Sequence, residues 1–321
     1  MKIISTQGGS DVGNKSFKVA FISDIWLRIH TDFYIDASLN DYILEEKMVD
    51  FIENELVLKP ADILIFAGDN SHYPKQNKLM LEMISATKMY KKIFITFGNH
   101  DMYLVSNAML SKYNTSWDKI LEFKEICSQI EDVEFLDGNV VDVDGIKVAG
   151  AGLFYDFSYG IKNFGMSHFH MMQLWKDRMN DASLLRGLDY PPEINDNRYT
   201  VYGHYGKNKA GFTFDPIKFF ESEKEKLIKI IDKCDIFVSH IGPVVPKTLD
   251  PKYMVPITGF YYFDGEHYLW NEKAPKLWLW GHTHKNFDFK VNNTWLMCNP
   301  LGYKSENTRN EITVVDLFDL D

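Results

Sequence analysis

Carboxylate, amide and imidazole side chains recur along this chain, each directly after a short apolar run that predicts a buried strand. Carboxylate and imidazole together suit Zn, Fe or Mn, and the lack of nearby cysteine disfavours a structural zinc site. Packing alone gives no reason for several strands to end in metal-binding groups. The candidate ligands are Asp24, Asp69, Asn99, His240, His282 and His284.

Two of these positions lie in specific short motifs. Gly98–Asp101 has the sequence Gly-Asn-His-Asp and follows the apolar run 92–97, which predicts a buried strand that ends in a tight glycine turn. Gly281–His284 places two imidazoles one residue apart directly after another apolar run. Polar residues at such strand ends lie where α/β enzymes carry their chemistry. Both motifs therefore indicate a metal-dependent active site.

Each candidate also has a structural explanation when it is taken alone. Asp24 and Asp69 could be turn or helix-capping residues, and His240 could be a buried core histidine. Their shared position at strand ends favours metal binding instead. For His168, His170 and His204, which lie in a stretch of weak periodicity, a surface or packing role is expected.

The elements that position these groups alternate between strands and helices in βαβαβ order, which predicts stacked α and β layers. Apolar helical periodicity covers 39–56, 80–87, 120–130 and 220–231. Residues 134–140 and 146–150 are predicted strands around turn residues, with Asp144-Gly145 as a hairpin signal. The other predicted strands are 17–23, 61–67, 92–97, 235–239, 276–280 and 313–317, the last at a sheet edge.

Composition predicts one large globular domain over residues 1–321, with 156–216 inserted as a cap or as long active-site loops. The net charge of −10 disfavours nucleic acid as a partner. No apolar run approaches membrane-spanning length, and the polar N-terminus predicts no export signal. Cys127, Cys234 and Cys298 are expected to be buried free thiols, which fits the cytoplasm. The oligomeric state stays open.

These motifs together resemble the calcineurin-like metallophosphoesterases, whose pattern is Asp-x-His, Gly-Asp, Gly-Asn-His-Asp/Glu, a lone His and Gly-His-x-His. The resemblance extends from Asp24 to the closing segment 299–303. It implies a four-layer α/β/β/α sandwich and a phosphoesterase with two metal ions, Mn, Fe or Zn. The implied reaction is hydrolysis of phosphomonoesters or phosphodiesters by a metal-bound hydroxide.

The resemblance also implies a role for each site residue. Asp69 would bridge the two metals. His100 would face the substrate and protonate the leaving group or stabilise the oxyanion, and Asp101 would orient its ring. The first ion would be held by Asn99, His240 and His282, and the second by Asp24 and His284.

Two positions depart from the family pattern. Trp26 replaces the expected histidine two residues after Asp24, and an indole cannot bind a metal. Either the metal site beside Asp24 is weakened or another residue, with His30 the nearest candidate, completes it. His72 stands where many relatives carry aspartate, and it could bind substrate phosphate or lie on the surface.

Two alternatives to a phosphoesterase of small molecules stay open. A nuclease would need basic residues near the metals, and those of 156–216 are interspersed with acidic ones. A degenerate, non-catalytic binding scaffold would explain Trp26. A serine/threonine protein phosphatase is disfavoured because its Gly-Asp-x-x-Asp-Arg-Gly signature is missing.

Overall fold

The computed structural model describes residues 16–25, 41–187, 214–303, 305–306 and 311–320. Its strands are β1 (Lys18–Ile22), β2 (Ile63–Ala67), β3 (Lys92–Thr96), β4 (Val133–Phe135), β5 (Asn139–Val143), β6 (Ile146–Gly150), β7 (Ile236–Val238), β8 (Leu277–Trp280), β9 (Phe287–Val291), β10 (Thr294–Cys298) and β11 (Thr313–Asp316). Its α-helices are α1 (Asp41–Phe51), α2 (Pro74–Ala86), α3 (Asn99–Met102), α4 (Asn107–Lys112), α5 (Ser116–Ser128), α6 (Ser158–Phe164), α7 (His168–Arg178), α8 (Asp181–Leu184) and α9 (Pro216–Ile230).

The strands form two sheets that are mainly parallel. The first has the order β11-β1-β2-β3-β4, in which only the edge strand β11 is antiparallel to its neighbour. The second has the order β5-β6-β7-β8-β10-β9, with antiparallel strands at both edges. Because parallel neighbours end at the same edge, the segments after β1, β2 and β3, and those after β7 and β8, lie together.

Alternating side chains show how the layers stack. Val19 of β1 lies in one buried cluster with Leu277 of β8, whereas the next residue, Ala20, clusters with Met80 of α2. Trp278 of β8 likewise points away from the first sheet, into the cluster that contains the apolar residues of α9. Each sheet therefore packs on the other with one face and on helices with the other face, which confirms the predicted α/β/β/α sandwich.

Most predicted strands are observed with ends that differ by one or two residues, and β11 pairs with β1 at the sheet edge as expected. The run 134–140 contributes to both sheets, because β4 belongs to the first and β5 to the second. The chain passes between the sheets at Gly138, whose φ of 85° favours glycine. Asp144 and Gly145 form the predicted β5–β6 hairpin turn.

The described part of 156–216 forms α6, α7 and α8, which the sequence analysis did not resolve into helices. Trp175 is buried, and His168 and His170 are exposed. His204 lies outside the described residues. The described residues contain no helix with the length and apolar character needed to span a bilayer.

Candidate metal centre

The candidate ligands converge where the two sheets end side by side. The backbone N–H of His282, after β8, donates to both carboxylate oxygens of Asp24, after β1, at 3.1 and 3.0 Å. His240 Nε2, after β7, lies 3.3 Å from Asp69 Oδ1 and 3.2 Å from Asn99 Oδ1. Residues separated by up to 258 positions in the chain thus form one cluster.

Four of these residues hold a backbone conformation that side chains other than glycine rarely adopt. The φ angles are 54° at Asp24, 56° at Asp69, 66° at His282 and 47° at His284. Such left-handed conformations cost about 1–3 kcal/mol each and cluster at functional sites. Here they turn the chain sharply near the end of the strand, where the side chains of these same residues contact the cluster.

Glycine is needed beside the cluster because the backbone approaches it closely. A Cβ at Gly98 would lie 2.2 Å from Asp69 Oδ1 and 2.6 Å from His240 Nε2. A Cβ at Gly68, whose φ is 84°, would lie 2.5 Å from His240 Nδ1. Both glycines therefore leave the space in which the imidazole and the carboxylate face each other.

We expect Gly98→Ala to weaken metal binding by about tenfold or more, because the new methyl group displaces Asp69 or His240. Gly145→Ala is the control for general destabilisation, since the φ of 86° at Gly145 strains an alanine there, but a Cβ at that position meets nothing within 4 Å. Calorimetric titration with Mn²⁺ measures both variants. Equal metal affinity in Gly98→Ala and the control would contradict the close packing described here.

Asp69, His240 and His282 form a buried group whose possible ligand atoms all lie within 4.8 Å of one another. A backbone carbonyl orients each imidazole: His240 Nδ1 contacts the oxygen of Ala67 at 3.0 Å, and His282 Nε2 contacts that of Phe260 at 3.0 Å. The opposite ring nitrogen of each histidine is thereby directed to the cluster, as in proteins that bind metals through histidine.

The chemistry of this group fits a cation. Asp69 Oδ2 is buried and has no hydrogen-bond partner among the described residues, which is costly for a carboxylate. Burial raises the pKa of Asp69. Burial works to lower the pKa of His240, but the Asp69 carboxylate raises it to about 9. Without a metal, a proton on the imidazole offsets the buried charge, and a metal ion can replace that proton.

Asn99 presents its amide oxygen to the same group. Its Nδ2 donates to the hydroxyl of Tyr103 at 2.8 Å and to Asp181 Oδ1 at 2.9 Å. Both amide hydrogens are therefore engaged, and Oδ1 faces His240 Nε2. Asp181 was not predictable from sequence, because it lies 82 residues from Asn99 in a region without a motif.

Asp24 and His284 form a second group beside the first. Asp24 is fully buried and accepts a hydrogen bond from Ser23 Oγ at 2.6 Å, and His284 Nε2 lies 3.5 Å from Asp24 Oδ1. His284 Nδ1 contacts Glu306 Oε1 at 3.0 Å. Burial works to lower the pKa of His284, but these two carboxylates raise it to about 10. Burial works to raise the pKa of Asp24, but His284 lowers it.

Glu306 is a second residue that the sequence analysis missed, since no motif marks it. Trp26 and His30, the two residues that decide how complete the second group is, lie outside the described residues. His30 as a metal ligand stays a prediction.

His100 lies beside Asp69 at the base of a cleft. Its backbone N–H donates to Asp69 Oδ1 at 2.9 Å, and its Nε2 lies 4.0 Å from Asp69 Oδ2. Its Nδ1 is 2.9 Å from Nε2 of His72, and the two rings stack with centroids 5.2 Å apart. Burial lowers the pKa of His100 well below its ordinary value, and His72 adds to this.

The structure gives the contacts of His72 and Asp101, two residues of the expected site beside His100. His72 is buried, so the surface alternative is wrong, and its Nε2 contacts His100 Nδ1. Its part in binding substrate phosphate stays a prediction. The two ring nitrogens of His100 face His72 and Asp69, at 2.9 and 4.0 Å, and the orienting role of Asp101 stays a prediction. The Asp101 carboxylate accepts backbone hydrogen bonds at 2.8–3.2 Å from Gly98, Asp69, Asn70 and Ser71. It therefore ties the loop after β2 to the loop after β3, because its carboxylate satisfies amides of both.

The cleft has a volume of about 920 Å³, and Asp69, Asn99, His282 and His284 line it together with His100. Its walls come from the end of α7 and from residues 249–262, which contribute several aromatic and aliphatic side chains. Basic side chains also reach it. They are Arg178, Lys252 and Lys285.

Comparisons with known proteins agree with this architecture. The chain is 24% identical over 271 residues to an uncharacterized protein of Acanthamoeba polyphaga mimivirus, an alignment that covers 81% of this chain and 86% of that one. Its fold is similar to that of the phosphopantetheinyl hydrolase of Mycobacterium tuberculosis, with a TM-score of 0.59 and 15% identity over 93% of this chain and 95% of that chain. A sequence model described as calcineurin-like phosphoesterase matches residues 17–286. The chain therefore belongs to the calcineurin-like phosphoesterase family.

Proposed function

We propose that this protein is a metal-dependent hydrolase of phosphate esters and that its substrates are small molecules. The main support is the convergence of ligand-type side chains from five strand ends in one cluster, part of which lines the cleft and which includes the unpartnered Asp69 Oδ2. A buried carboxylate that faces two imidazoles and an amide oxygen is hard to explain by stability alone, because apolar residues would be favoured there.

The donor set supports two metal sites. Asp69, Asn99, His240 and His282 would hold one ion, and Asp24 and His284 would hold the other, with Asp69 shared between them. Imidazole, carboxylate and amide ligands without thiolate suit Mn, Fe or Zn. When bound, the ions would polarise the phosphate and activate the attacking water.

We propose that His100 acts on the leaving group. His72 contacts Nδ1 of the His100 ring, and the backbone N–H of His100 donates to Asp69. These contacts hold the ring so that its Nε2 is directed toward the ligand cluster. If His72 donates its Nε2 hydrogen to Nδ1, His100 carries its own hydrogen on Nε2. That hydrogen can then stabilise or protonate the leaving oxygen of the ester.

The cleft supports a substrate with an organic group and a second anionic group. Its volume of about 920 Å³ far exceeds what a phosphate needs and is in the range of small-molecule sites. Lys285 Nζ lies 3.9 Å from the ring centroid of Tyr253, and Arg178 lines the same cleft. Among the described residues, neither cation has a carboxylate within ion-pair distance. In a chain with a net charge of −10, such cations favour an anionic ligand.

Turnover of chromogenic esters tests the proposed reaction. We expect the Mn²⁺-loaded protein to hydrolyse p-nitrophenyl phosphate or bis(p-nitrophenyl) phosphate, and to do so only while the metal is bound. A short single-stranded oligonucleotide tests the nuclease alternative. Faster hydrolysis of the oligonucleotide than of either small ester would favour that alternative.

We expect Arg178→Ala and Lys285→Ala each to raise KM about tenfold for adenosine 3′,5′-bisphosphate, with a smaller effect on adenosine 5′-monophosphate. Loss of a charge-assisted contact to the second anionic group is the reason, and kcat changes little because the reacting groups are untouched. Lys252→Ala is the control, since Lys252 is already paired with Asp250 at 3.1 Å. Equal KM changes for both nucleotides would contradict the second anionic subsite.

A further inference from the structure

Asp181 is a buried carboxylate that contacts the candidate metal centre from the 156–216 region. It lies in α8 and is 0% exposed. Its oxygens accept hydrogen bonds from Asn99 Nδ2 at 2.9 Å, from the Tyr155 hydroxyl at 2.5 Å and from the Tyr103 hydroxyl. Among the described residues it has no ion-pair partner. Neutral donors alone thus surround a group that is costly to bury.

The contact with Asp181 decides which way the Asn99 amide points. An amide can turn by 180° and exchange its oxygen for its nitrogen, but a carboxylate only accepts hydrogen bonds. Asp181 therefore requires the Nδ2 side of Asn99, and the oxygen is left facing His240 Nε2 at 3.2 Å. With the amide reversed, its N–H groups would face the ligand cluster, where they cannot bind a cation.

The same carboxylate connects this centre to the helices of the 156–216 region. Tyr155, which donates to Asp181, accepts a hydrogen bond from Nε1 of Trp175 in α7. The Tyr155 ring also lies near His282, with centroids 6.5 Å apart. The packing of α7 and α8 is thereby linked to two of the candidate ligands, Asn99 and His282.

We propose that Asp181 is a positioning residue for metal binding, which holds the Asn99 oxygen toward the ion and makes metal affinity depend on the inserted helices. The inference rests on the proposed function, because it assumes that Asn99 is a ligand. A purely structural role is the alternative, in which Asp181 only joins α8 to the tyrosines. A neutral acceptor could fill that structural role without the free-energy cost of burying a charge. A negative group beside a ligand, by contrast, also strengthens cation binding.

The experiment compares Asp181→Asn with Glu223→Gln. Glu223 is also a buried acid, 0% exposed, but it pairs with Lys226 and accepts a hydrogen bond from the Leu153 amide, neither of which is a candidate ligand. The dissociation constants for Mn²⁺ and Co²⁺ are measured by calorimetry, together with the visible spectrum of bound Co²⁺. The melting temperature of each variant is measured in EDTA.

We expect Asp181→Asn to raise the metal dissociation constant about 10- to 100-fold and to change the Co²⁺ spectrum. Glu223→Gln should leave the dissociation constant and the Co²⁺ spectrum as in the wild-type protein. We expect this even if its melting temperature in EDTA falls as much as that of Asp181→Asn. Asp181→Ser, which brings no amino group to Asn99, is the second variant if Asp181→Asn does not fold. It should weaken metal binding in the same direction.

Three results would overturn the inference. Wild-type affinity and spectrum in a folded Asp181 variant would show that the contact does not position a ligand, and would leave the proposed function standing. Equal losses of affinity in Glu223→Gln would assign the effect to general destabilisation. A wild-type protein that binds neither metal would overturn both the inference and the proposed function.

Discussion

Asp69→Asn should reduce phosphoesterase turnover about a thousandfold, the largest effect that we expect from a single exchange. The amide keeps the size of the carboxylate but removes the charge that faces His240, at 3.3 Å from its Nε2. Both metal sites would weaken, because Asp69 is the ligand proposed to be shared. Metal content by elemental analysis and kcat/KM for p-nitrophenyl phosphate should fall together.

Asp137→Asn is the matched control for this prediction. The Asp137 side chain is 7% exposed, pairs with Lys124 and Lys226, and is not among the residues that line the cleft. It should keep its metal and its turnover. An Asp69→Asn variant with the metal content and turnover of this control would contradict the role that we propose for Asp69.

His100→Ala should leave metal content at the wild-type level while turnover falls by about a hundredfold or more. The ring contacts His72 and points its Nε2 toward the cluster, but the proposed ligands are other residues. Elemental analysis and kcat, measured on the same sample, separate the two quantities. The control is His168→Ala, since His168 is exposed on α7.

Loss of metal in His100→Ala would assign His100 to the metal site instead of the leaving group. Wild-type kcat with full metal content would remove it from the mechanism. Metal content and kcat together also distinguish the roles of His100 and Asp69. In Asp69→Asn both are expected to fall, whereas in His100→Ala only kcat is expected to fall.

The residues at the strand ends were predictable from sequence because two local signals coincide there. An apolar run specifies a buried strand, and the first polar residues after it must lie at the sheet edge. Asp24, Asp69 and His240 follow this rule, and the structure brings them together as the order of the strands requires.

Contacts between distant residues were not predictable in this way. Asp101 follows His100 in the sequence, yet its carboxylate binds backbone amides of two loops, because both loops present N–H groups to it. Asp181 reaches Asn99 across 82 residues, and no periodic pattern marks either it or Glu306. Sequence spacing does not specify such hydrogen-bond partners.

The helices α6, α7 and α8 were missed for a related reason. They have 7, 11 and 4 residues, too few to be stable alone or to repeat an apolar pattern clearly. Tertiary contacts stabilise them instead. Trp175 of α7, for example, is buried and donates a hydrogen bond to the Tyr155 hydroxyl. Helices of this kind become visible only once the partner surface is known.

Metal content and metal-dependent turnover of one purified sample test the central claim most directly. We predict bound transition metal by elemental analysis, loss of p-nitrophenyl ester hydrolysis in EDTA and its recovery with Mn²⁺. A protein that takes up no metal after incubation with Mn²⁺ and hydrolyses neither chromogenic ester would contradict the enzyme function and favour a binding scaffold.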